Sequence, residues 1–141
     1  MGATRRRTGQ QRGAAIVETI LVILLLLFVM FGMVELGRAW FTQQLATAAV
    51  REAVRIGAVE SDSTKVSSDG LTRMTAVLNA GGIPTANIVS SSVTLQPLGA
   101  DKQVVANVTV RFRTVFPLLL PVLKQIDIPQ SATMRWEFSG S

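Results

Sequence analysis

A chain of 141 residues with no histidine and no cysteine must do any proton or nucleophile chemistry with nine carboxylates, its hydroxyls and its amines. Disulfides, thiolate nucleophiles, zinc fingers and imidazole catalysis are excluded by composition. Carboxylate-based hydrolysis needs two acids that converge, or a base beside a nucleophile. The nine acids are scattered, with no pairing that the sequence supports, and no glycine-rich phosphate loop is present. Asp62 and Asp69 lie in the Ser/Asp-rich stretch ESDSTKVSSDG at 60–70, but their spacing does not fit a calcium loop. The expectation is a protein that is not an enzyme and holds no metal or cofactor. One carboxylate nevertheless stands out by position. Glu18 is the only residue able to carry a charge in the run AAIVETILVILLLLFVMFGMV at 14–34.

As a helix, that run is roughly 31 Å long, the thickness of a bilayer hydrocarbon core. A cleaved secretory signal has a shorter apolar stretch and a small-residue exit site, whereas this one leads into Glu35, Gly37, Arg38 and Trp40. A membrane-spanning helix is the expectation. Arg5, Arg6, Arg7 and Arg12 precede it with no acid among the first 13 residues, so the positive-inside bias keeps the amino terminus cytoplasmic. Those four residues also account for most of the formal charge of +5, which falls to +1 without them. A basic nucleic-acid face is therefore not expected, and the lipid bilayer is. Glu18 lies about one turn inside the cytoplasmic edge, where a charge remains costly even when it snorkels. It is either an interfacial residue of no consequence or a group kept for a purpose.

The sequence RGAAIVE, in which Gly13 precedes Glu18 by five positions behind a basic leader, resembles the processing site of type IV prepilins. GAAIVE, VELGRAW at 34–40, the small-residue run TAAVREAVRIGA and the terminal SATMRWE extend the resemblance to TadE-type pseudopilins, minor components of tight-adherence (Tad, or Flp) pili. Thr19 departs from the major Tad pilins, which usually carry Tyr after the Glu; those are also much shorter and lack a sizeable outer domain. The resemblance implies a cut between Gly13 and Ala14 by a membrane-embedded prepilin peptidase, removing a leader, 1–13. It also implies that Glu18 neutralises the new amino terminus of a neighbouring subunit, and that the partners are other pilins or pseudopilins and an inner-membrane assembly platform. On that reading 14–35 is the transmembrane and assembly helix and 36–141 an extracytoplasmic domain. The competing class is a single-pass anchor carrying an extracytoplasmic binding or sensory domain, which would keep its leader and not need Glu18.

Helical composition continues past Trp40. Ala39, Ala46, Ala49, Ala53 and Gly57 recur at intervals of seven, three, four and four, placing small residues on one side where another backbone can approach. That backbone belongs either to a neighbouring subunit or to the same domain. An unbroken helix from 14 to 59 would be roughly 69 Å long. A short amphipathic helix follows, with Leu71, Met74, Val77 and Leu78 on one face, a start near Ser67 or Ser68, and Gly81, Gly82 and Pro84 after it. Three strands complete the chain. Val89, Ser91, Val93 and Leu95 form one inward row; Val104, Ala106, Val108, Val110 and Phe112 form the second; Ala132, Met134, Trp136 and Phe138 form the third. The expected fold class is α+β, with a long transmembrane helix continuing into a small domain built from a short second helix and a three-stranded antiparallel sheet. Trp40 and Phe41 read as interfacial anchors. The apolar stretch FPLLLPVL at 116–123 is too short, and too broken by Pro117 and Pro121, to cross a membrane.

Overall fold

A computed structural model describes residues 7–115 and 124–138. The apolar stretch 116–123 and the residues before Arg7 lie outside the described residues. Helix α1 is Arg7–Val59, 53 residues and so about 80 Å long, and α2 is Val66–Ala80. A single 3-10 turn, Thr85–Asn87, leads into strands β1 (Ile88–Leu98), β2 (Asp101–Arg113) and β3 (Gln125–Arg135). The strands form one antiparallel sheet in the order β1-β2-β3. The architecture is the expected α+β one.

Helix α1 contains no proline, and its character changes along its length. From Ile16 to Val34 its large apolar side chains are exposed around the whole circumference, except that Phe31 is half-buried. A helix that is apolar on all sides and uncovered by its own chain needs lipid or other helices around it. Farther along, Ala46, Ala49, Val50, Ala53, Val54 and Ala58 are buried on one side, while Arg51 and Arg55 face outward. This second half is an ordinary amphipathic core helix.

Helix α2 begins at Val66, slightly earlier than the Ser67 or Ser68 expected from composition, because Val66 is fully buried and draws the first turn into the core. Asp62 shapes the entry, accepting from the Thr64 amide at 2.9 Å and the Thr64 hydroxyl at 2.6 Å. These hydrogen bonds hold its carboxyl below the usual range. At the other end, Ile83 N–H donates to Leu78 O and Gly82 N–H to Asn79 O, with Gly82 at φ +85°. This is a Schellman closure, with Leu78 and Ile83 as its buried apolar pair. Glu52 ties α1 to α2: it accepts from Arg55 at 2.8 Å and from Arg73 at 3.1 Å, and these bonds hold its carboxyl down to about 2.

In β2 the even-numbered residues 104–112 are all buried, as alternation predicts. Gly99, at φ +63°, makes the two-residue turn between Leu98 and Asp101. The outer strands depart from the expected rows. A register irregularity between Ile88 and Ser90 puts Val89 outward and leaves Ile88 packed on the core. Met134 and Phe138 are 42% and 40% exposed, against the inward positions expected for them. Met134 sits on an edge strand, beside a groove whose other wall is the solvated Arg51 and Arg55 side of α1. Phe138 lies beyond the strand and meets the Trp136 ring edge-on, with centroids 6.0 Å apart. Trp136 itself is buried, and its indole N–H donates to Glu60 O at 2.8 Å while Glu137 N–H donates to Ala58 O. The end of β3 thus satisfies carbonyls at the end of α1 that the helix leaves open.

Val108 is 1% exposed at the centre of β2. Val108→Asp should cost several kcal/mol by burying an unpaired charge, and should abolish cooperative unfolding of the domain followed by circular dichroism. Thr109→Ser, on the opposite face, should leave the transition nearly unchanged.

Candidate functional site

The first group of candidate residues lies on the uncovered half of α1. Gly13 and Ala14 are helical and exposed, and a Cβ on Gly13 would meet nothing within 4 Å. Glu18 is exposed and has no hydrogen bond or ion pair among the described residues. It shares one strip of helix surface with Gly13, Ala14, Val17, Leu21 and Leu25. Ala14 and Glu18, four residues apart, stand one above the other on that strip. Thr19 turns its hydroxyl back to Ala15 O at 2.8 Å, so this polar side chain is satisfied within the helix.

The small-residue row lies elsewhere. Ala46, Ala49 and Ala53 are fully buried, Gly57 is buried, and Ala39 is half-buried. Their close approach is to the same chain. A Cβ on Gly57 would lie 2.9 Å from Val104 Cγ1 and 3.2 Å from Val66 Cγ1, and one on Gly70 of α2 would lie 3.3 Å from Ala53 O. The spacing thus serves packing of α1 against α2 and β2. Of the two readings left open by the sequence, this is the intramolecular one for residues 46, 49, 53 and 57.

Sequence reasoning missed the role of Glu35. This residue follows directly on the apolar run, yet it is only 4% exposed. Its Oε1 accepts from the Val115 amide at 2.6 Å and its Oε2 from Arg38 Nη1 at 2.9 Å. The Arg38 guanidinium also lies 5.2 Å over the centre of the Phe112 ring, a cation–π contact. The end of the apolar run is therefore bonded to the segment just after β2. A signal was present in VELGRAW, where an acid and an arginine three residues apart adjoin a 21-residue apolar helix.

Among the described residues, no group of three or more Asp or Glu side chains is placed to hold a metal ion. One helix, within Gly13–Val59, is long and apolar enough to cross a membrane. The fold and these sites define a class: a small α+β domain carried on the same helix that supplies a single candidate membrane span. Residues 13–55, the segment holding Gly13, Glu18, Glu35 and most of the small-residue row, match the family model described as TadE-like protein. No curated protein and no solved structure matches the chain.

Glu35→Ala should leave the Val115 amide and Arg38 without their acceptor and destabilise the domain by about 1.5–3 kcal/mol. Denaturant titration of the full chain in detergent measures this. Glu35→Gln retains an oxygen for the amide and should cost less.

Proposed function

We propose that the chain is a minor pseudopilin of a Tad-type pilus, a structural subunit and not a catalyst. Residues 1–13 are the leader, 14–35 the membrane and assembly helix, and 36–141 the extracytoplasmic domain. The observation that carries this reading is Glu18, a carboxylate on an apolar, uncovered helix with no partner among the described residues of its own chain. The family match beginning at Gly13 supports it.

A prepilin peptidase acting at the cytoplasmic face of the inner membrane would hydrolyse the bond between Gly13 and Ala14. A helical peptide must unwind to enter a protease, and glycine lowers that cost by about 1 kcal/mol relative to alanine. The product begins at Ala14 with a positive amino group, one helical turn from Glu18. In low dielectric, a carboxylate and an ammonium attract strongly, and each is expensive when unpaired. Pairing Glu18 with the amino terminus of a neighbouring pilin would set the axial register of packed helices. The apolar surface from Ile20 to Phe31 would exchange lipid for those neighbours as the assembly platform draws the subunit from the bilayer.

The test is Glu18→Gln expressed in a strain lacking the native copy. Membrane levels should be normal or slightly raised, since Gln has no charge to desolvate. Piliation counted by electron microscopy should be lost or sharply reduced, because breaking a buried pair costs about 3–5 kcal/mol. Wild-type piliation would favour an ordinary anchor with an inert interfacial Glu18.

A further inference from the structure

Where α1 leaves its apolar run it forms one wall of a cleft of about 480 Å³, the other walls being the end of β2 and the Gly81–Gly82 turn. Small-molecule pockets are typically about 300–1,000 Å³. Three arginines line the cleft: Arg38, Arg111 and Arg113. Two are engaged, Arg38 with Glu35 at 2.9 Å and Arg111 with both carboxylate oxygens of Asp127 at 3.0 and 3.3 Å. The Arg113 side chain is exposed and has no ion pair or hydrogen bond among the described residues. Among the described residues, the cleft therefore keeps an uncompensated positive charge beside an apolar wall that includes Val34, Phe41 and Phe112.

Its height on the helix narrows what fits. Arg38 is four residues beyond Val34, about 6 Å along the axis. The polar layer between the hydrocarbon edge and water is about 5–8 Å thick on each side of a bilayer. Trp40 and Phe41 are exposed at the same level, where aromatic side chains settle at membrane interfaces. With residues 14–34 in the bilayer, a placement this inference takes from the functional reading above, the cleft opens into the phospholipid headgroup layer. A free phosphate would use the guanidinium and leave the apolar wall idle, whereas a lipid uses both.

We propose that this cleft binds the headgroup of an anionic phospholipid, with Arg113 meeting the phosphate and Val34 and Phe41 flanking the glycerol. The lipid would fix the depth of the helix before extraction from the membrane.

The experiment places the full chain in nanodiscs of phosphatidylcholine with a minority of phosphatidylglycerol and identifies the lipids retained on release by native mass spectrometry. Wild-type protein should retain phosphatidylglycerol well above its share of the bilayer. Arg113→Gln should reduce that preference about fivefold, the effect of one basic residue at a charged membrane surface. Arg51→Gln, on the far side of α1 and outside the cleft, should leave it unchanged. Absence of a preference in the wild type, or equal loss in both variants, would overturn the proposal while leaving the membrane placement intact. Loss of the preference on adding inorganic phosphate at constant ionic strength would assign the cleft to free phosphate and overturn the lipid. Failure of the chain to enter phosphatidylcholine nanodiscs at all would contradict the membrane placement itself.

Discussion

Helix α1 has to be stable in two different surroundings without breaking, and the rest of the structure is arranged around that requirement. Over residues 16–34 its large apolar side chains, Phe31 excepted, are exposed. Over residues 46–58 it is a one-sided core helix under which α2 and the sheet assemble. Between the two lie residues 35–45, about three turns, which the core covers only in part. There Glu35 takes the Val115 amide, and Arg38 takes Glu35 and the Phe112 face. At the far end, the Ala58 and Glu60 carbonyls accept from Glu137 and Trp136. The sheet is thus pinned to α1 at both ends of their shared length.

Two carboxylates bracket the apolar run, and their surroundings differ. Glu35 is buried and bonded within the chain, which makes it part of the fold. Glu18 is exposed and has no side-chain partner among the described residues. On the proposed reading, an acid placed where it is costly finds its compensation in another molecule. Sequence position alone does not distinguish the two, since each is one acid beside a hydrophobic stretch.

Features governed by local periodicity were legible in the sequence. The unbroken α1, the buried even-numbered row of β2 and the Gly-Gly-x-Pro stop after α2 follow from spacing and from the backbone freedom of Gly82. What was not legible depended on which neighbour covers a residue. Val89 is turned outward by a pairing irregularity that only β2 defines, and Met134 is exposed because β3 is an edge strand. The alanines and glycine at 46, 49, 53 and 57 announced a close backbone but not whose backbone it was; Val104, Val66 and Gly70 of the same chain answer that. Glu35 was missed because its amide partner lies 80 residues away.

On the proposed function, the chain reaches its working form by losing its basic leader, so that a charged amino group appears one turn from Glu18. Intact-mass spectrometry of the protein isolated from its own host tests this most directly. The account predicts a species beginning at Ala14, 128 residues long, in cells with an active prepilin peptidase, and the full chain where that peptidase is removed. A chain that keeps residues 1–13 in the presence of the peptidase would contradict it.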